Sequence, residues 1–115
     1  MKSRLPEGFG GGAGNMQSMI RKAQKMQEEM EKKQEELSGR EFSASAGGGA
    51  VSVVITGNKQ VQKISLKPEA VDPEDVEMLE DLIKAAVNEA LRQIEETTSR
   101  EMDSITNGLN IPGIV

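Results

Sequence analysis

Three cations, Arg21, Lys22 and Lys25, stand in the stretch "SMIRKAQKMQ" with few of the acidic neighbours that surround most other charges in the chain. On a helix, the residues three and four positions away are the ones that touch. Arg21 and Lys22 have no Asp or Glu at those distances, and only Lys25 has Glu28 and Glu29 ahead of it. Arg21 and Lys25 are themselves a like-charge pair four apart. A helix starting at Asn15 would also set all three near its positive end, where cations are disfavoured. The one chemistry such a cluster offers is to neutralise an anion. Backbone phosphates of a nucleic acid fit, and Lys2 and Arg4 could join from the N-terminal stretch. The plainer alternative is that carboxylates from elsewhere in the chain meet these cations.

Other chemistries are poorly supplied. The chain has no Cys and no His, which removes thiolate nucleophiles, imidazole bases, disulfides and the usual zinc and copper ligands. Most of its 19 carboxylates fall on helix faces, many with a cation four residues on: Glu28–Lys32, Glu29–Lys33, Glu80–Lys84, Glu96–Arg100. These read as solvated pairs worth about 0.2–0.5 kcal/mol each. No enzyme, cofactor, metal or small-molecule substrate is expected.

Glycine-rich stretches invite a phosphate-loop reading, but they lack its context. Gly47-Gly48-Gly49 is followed by Ala50-Val51, whereas a phosphate loop needs Lys-Ser/Thr there. Gly8-x-Gly10-x-x-Ala13 precedes a helix, yet no strand precedes it. The triplet reads instead as a hairpin corner that uses positive φ. Met16, Met19, Met26 and Met30 could form an adaptable groove or a copper cluster. Their seven-residue repeat with Ala23 and Leu37, broken only at Lys33, points to a helix–helix seam.

The elements that must position these residues follow from periodicity. Residues 1–14 end in "GFGGGAG" and read as a flexible arm. Asn15 can cap a first helix that stops at Ser38-Gly39. Residues 40–46, 50–56 and 61–66 alternate as short strands, with turns at 47–49 and 57–60, and form an antiparallel meander. Asp72 and Pro73 open a second helix. Val76, Leu79, Ile83, Val87, Ala90, Ile94, Thr98, Met102 and Ile105 line one stripe of it. About 33 residues at 1.5 Å rise make it about 50 Å long. It stops at Asn107-Gly108, and 108–115 read as an extended tail. One α+β domain over 15–107, in the order α-β-β-β-α, is the expected fold.

At 115 residues, with only Phe9 and Phe42 as aromatics, such a domain has little core of its own. The long second stripe outruns three short strands. Both the first helix and a second subunit are expected to cover it. No signal peptide and no run of about 20 apolar residues is visible, so a cytoplasmic protein with no membrane partner is expected. Net charge is −5 but unevenly spread. Residues 1–25 balance at +4, and residues 72–115 at −8.

"NMQSMIRKAQKMQEEMEKKQEEL", "SAGGGAVSVVITGNKQVQKISLKPEAV", "DPEDVEMLEDLIKAAVNEAL" and "GLNIPG", in this order, closely resemble the YbaB/EbfC family of bacterial nucleoid-associated proteins. The resemblance spans about residue 15 to 113. It implies an intertwined α/β homodimer with centrally joined sheets and helices that project like tweezers. It also implies binding of double-stranded DNA with little sequence dependence, altered DNA conformation, and a part in nucleoid organisation and gene regulation. In the family, DNA contact is attributed to the projecting ends of the first and last helices. Arg21, Lys22 and Lys25 are carried over on that ground, with Arg92 and Arg100 as lesser candidates among acids. The competing reading is a non-enzymatic protein–protein adaptor that uses the Met-rich seam.

Overall fold

Alternating β-branched residues and two long amphipathic stretches give the chain its elements. A computed structural model describes residues 4–109. It contains α1 (Arg4–Gly39), β1 (Glu41–Ala46), β2 (Val51–Thr56), β3 (Val61–Leu66), a 3-10 turn (Pro68–Ala70) and α2 (Val76–Leu109). The strands form a three-stranded antiparallel sheet in the order β1-β2-β3. The expected α-β-β-β-α order is therefore the observed one.

The period-two alternation of β2 decides which face is buried. Val51, Val53 and Ile55 are essentially inaccessible. Their neighbours in β1 are Ala46, Ala44 and Phe42. α2 lies over this face through Ala86, Ala90 and Ile94, with Leu79, Leu82, Ile83, Val87 and Leu91 at the margins. Ala86 and Ala90 have no exposed surface, and such short side chains let the helix axis approach the sheet closely. Packing on a flat sheet recruits Leu82 and Ala86 beside the expected narrow stripe.

The turns do conformational work. Gly47, Gly48 and Gly49 all have positive φ (64°, 66° and 94°), and a Cβ on Gly47 would lie 2.9 Å from the Leu82 side chain. The triplet turns the β1–β2 corner, as its context indicates. At the next corner, a Cβ on Gly57 would fall 1.9 Å from the Leu37 carbonyl oxygen. Gly57 and Asn58 donate their N–H groups to the carbonyls of Arg40 and Ser38 (2.9 and 3.1 Å). The β2–β3 turn thus closes directly over the end of α1.

Helix boundaries differ from the sequence reading. α1 begins at Arg4, not at the Asn15 cap. Pro6 sits near its start, where a missing N–H costs nothing. Asp72 and Pro73 make a turn, in which the Asp72 carboxylate accepts the Glu74 N–H (2.9 Å). The cap of α2 is Asp75, which accepts the Met78 N–H (3.2 Å). α2 runs to Leu109, and the expected tail beyond it lies outside the described residues. No described helix is long and apolar enough to cross a membrane.

β3 is exposed along its whole length. A register shift beside Val54 and Ile55 aligns Val61 with Ile64 and Leu66, so that the three pair with the buried Ile55, Val53 and Val51 and share their face of the sheet. These three remain exposed, as do Val71 before α2 and Val76 and Met78 in its first turn.

Candidate nucleic-acid interface

α1 and α2 leave the sheet together as a two-helix arm. Lys33 reaches Glu101 across the pair (3.1 Å), and Ile105 shares a surface recess with Glu29. The helices therefore run antiparallel. The same register brings Leu109, the last described residue of α2, level with about Lys25. Arg21 and Lys22 lie at or past that level.

All three cations of the cluster are exposed. Among the described residues, no carboxylate comes within 4.0 Å of Arg21, Lys22 or Lys25. The alternative in which α2 neutralises them within one protomer is not what the structure contains. One supporting argument does change. Because α1 starts at Arg4, these residues sit well inside the helix, so the dipole of α1 does not oppose them. What persists is the lack of i±3 and i±4 acids at Arg21 and Lys22 and the like-charge pairing of Arg21 with Lys25. Lys2 lies outside the described residues, and Arg4 opens α1.

The cations of α2 are in another condition. Arg92 is held by Glu89 (2.7 Å) and Glu96 (3.1 Å). These contacts, the Glu89 hydrogen bond foremost, push the guanidinium pKa further up. Arg100 is exposed and shares a shallow surface with Glu95, Glu96 and Arg92. A polyanion arriving at this face meets carboxylates first.

The four i,i+4 pairs expected from spacing do not close among the described residues. Lys33 turns to Glu101 and Glu36 instead, at 3.1 and 3.6 Å. The sequence reading passed over Arg40, although Glu36 stands four residues before it. Arg40 follows α1 and contacts both Glu36 and Glu101 at 2.7 Å. Arg40 and Lys33 together hold the Glu101 carboxyl down at about 2, the Arg40 hydrogen bonds contributing most.

The Met seam divides into two parts. Leu37 is buried against the body, and Met26 and Met30 are half-buried. Met16, Met19 and Ile20 are 62%, 54% and 51% exposed and lie past the level reached by the described part of α2.

Comparison with known proteins bears on these surfaces. Residues 12–109 match the model of the YbaB/EbfC DNA-binding family. A nucleoid-associated protein of Alkaliphilus metalliredigens is 59% identical over 104 residues, covering 90% of this chain and 91% of the relative. A nucleoid-associated protein of Clostridium acetobutylicum is 56% identical over 108 residues, covering 93% and 96% respectively. In three dimensions, an uncharacterized Helicobacter pylori protein known from a crystal structure is similar in fold. It aligns with a TM-score of 0.62 at 20% identity, over 73% of this chain and 88% of that one.

Proposed function

This chain belongs to the YbaB/EbfC DNA-binding family, and we propose on that basis that it binds double-stranded DNA as a homodimer, through backbone phosphates and with little sequence dependence. Arg21, Lys22 and Lys25 carry the contact, and Lys2 and Arg4 add to it. Binding alters the path of the DNA. The protein thereby contributes to nucleoid organisation and gene regulation in the cytoplasm. The observation that carries this reading is the exposed trio on α1 with no carboxylate within 4.0 Å among the described residues. Nothing in the trio's surroundings suits base reading, since the chain has no Trp or Tyr and only two Phe for stacking.

The second exposed surface supports dimerisation. Val61, Ile64 and Leu66 are exposed on β3, an edge strand whose outer side pairs with no other strand among the described residues. An apolar edge of this kind is a liability in a free monomer and a natural joint between two copies. Light scattering at micromolar concentration should give about twice the 12.4 kDa chain mass. A clean monomer would remove this half of the proposal.

The DNA half is tested by gel shift with unrelated duplexes at two salt concentrations. Three cations per protomer make about six phosphate contacts per dimer, and six contacts imply a roughly thousandfold loss of affinity between about 50 and 200 mM salt. Replacing all three by Glu (R21E/K22E/K25E) should abolish the shift and leave the dimer intact. A triple variant that binds like the parent would show the site to be elsewhere. The exposed Met16, Met19 and Ile20 keep one second reading open, a protein–protein adaptor, for which the duplexes would give no shift.

A further inference from the structure

We propose that the ionic node at the base of the arm, Arg40–Glu101–Lys33–Glu36, fixes the direction in which α1 projects and so makes Glu101 and Arg40 positioning residues for DNA binding. The inference rests on the reading of Arg21, Lys22 and Lys25 as the phosphate contacts.

Glu101 on α2 accepts from Arg40 Nη1 and Nη2 (2.7 and 3.0 Å) and from Lys33 Nζ (3.1 Å). Arg40 also grips Glu36 through Nε and Nη2 (2.8 and 2.7 Å). Among the described residues, the two pairs made by Glu101 are the only ion pairs that join α2 to anything outside itself. The fork geometry of a guanidinium fixes orientation as well as distance. On the other side of the same point, the β2–β3 turn closes over the end of α1, with Gly57 against the Leu37 carbonyl and its N–H bonded to Arg40 O. α1 is thus held from two sides at its base, while Met16, Met19 and Ile20 are exposed near its far part.

This arrangement is a lever. Arg40 lies nineteen positions after Arg21, which is about 28 Å at 1.5 Å per residue. A tilt of about 10° at the base would displace Arg21 by about 5 Å, more than the ~3 Å span of a charge-assisted hydrogen bond. Losing the node would therefore disperse the cations that must meet phosphates together, without altering any of them.

Glu101→Gln separates this role from a general electrostatic one by sign. Removing a carboxylate lowers the negative charge, so a through-space effect would strengthen DNA binding; loss of positioning would weaken it. Expected is a roughly fivefold to tenfold weaker gel shift with a shallower salt dependence, in a protein that scatters as the parent does. Glu35→Gln, on an exposed α1 residue without an ion pair among the described residues, should bind as tightly as the parent or slightly tighter.

A second readout needs no DNA. The chain has no cysteine, so Ser18→Cys gives one nitroxide label per protomer. Electron-spin distance measurements between the two arms should show a broader distribution with Glu101→Gln than without it. Arg40→Lys, which keeps the charge and loses the fork, should fall between parent and E101Q in both readouts, and it serves in place of E101Q should that variant not fold. Unchanged distances together with unchanged or stronger DNA binding would overturn the node's role. A parent that gives no DNA shift would instead overturn the DNA reading, with the arm distances still reporting on the node.

Discussion

Arg92 and Arg21 are the same side chain in two electrostatic settings. Arg92 projects from α2 between Glu89 and Glu96, and both carboxylates are bonded to it. Arg21 projects from α1 at or past the level where the described part of α2 ends, and no described carboxylate is within 4.0 Å. The contrast shows why a net charge of −5 does not preclude a polyanion partner. Much of the negative charge lies along α2, and Arg92 and Lys33 are already committed to it. Among the cations that no described carboxylate pairs, Lys59, Lys63 and Lys67 stand beside the sheet and Lys84 and Arg100 amid the acids of α2, whereas Arg21, Lys22 and Lys25 stand together on α1, at a distance from the sheet. What a phosphate backbone meets is set by that local distribution, because charges beyond a Debye length of about 8–10 Å are largely screened.

The same division separates packing from presentation, and the largest predicted effect tests it. Ile55 is 1% exposed beneath α2, whereas Met16 is 62% exposed. Ile55→Ala should cost about 2–5 kcal/mol of unfolding free energy through lost burial and a residual cavity. Met16→Ala should change it by less than about 0.5 kcal/mol. Urea unfolding of both variants measures the gap. A comparable loss at Met16 would show that the outer seam is covered in the assembled protein, and would favour the adaptor reading.

The next effect is smaller and bears on the two arginines directly. Arg21→Gln removes two phosphate contacts per dimer and should make the salt dependence shallower by about 2 in log–log slope. Arg92→Gln removes a cation already engaged by carboxylates and should leave the affinity within about twofold. If Arg92→Gln weakened binding as much as Arg21→Gln, the distinction between paired and free cations would fail.

How much of this could be read in advance depended on how local each cause is. β1, β2 and β3 fall almost where alternation sets them, because burial on one face of a strand writes a period of two into "VSVVIT". The glycine corner was legible for the same reason, since positive φ is a property of one residue and its neighbours. The cations were legible as an absence of local partners. Helix starts were less so: Asp72 and Asp75 are both good caps, and only the completed turn selects Asp75. Within the node, Lys33–Glu36 and Glu36–Arg40 sit at helical spacing, but the link to α2 was hidden. Arg40 and Glu101 lie 61 positions apart, and nothing in "SGREF" or "SREMD" signals that the fold will join them. Spacing rules favoured i,i+4 partners for Lys33, and the antiparallel packing of α1 on α2 offered Glu101 instead.

The smallest effect concerns the node under acid. Arg40 first and Lys33 second hold the Glu101 carboxyl at about 2, against an ordinary 4.5. A carboxylate whose folded pKa is depressed stabilises the fold above its unfolded pKa, and that contribution disappears as pH falls through the folded value. The contribution of Glu101 should therefore be complete above pH 4.5 and decline between about 4.5 and about 2. Glu101→Gln lacks the titrating group, so its Tm should lie below that of the parent at neutral pH and approach it across this window. The approach should be steady rather than abrupt, because throughout the window the unfolded chain holds a proton that the folded carboxylate does not. Parallel curves for parent and variant from about pH 7 to about pH 2 would mean that the charge on Glu101 contributes nothing to the base of the arm. The uncharged amide of the Glu101→Gln variant would then hold the helices as well as the carboxylate does, and the orientation of α1 would rest on that amide's hydrogen bonds, on the Gly57 turn and on the packing of Leu37, Met26 and Met30 rather than on charge.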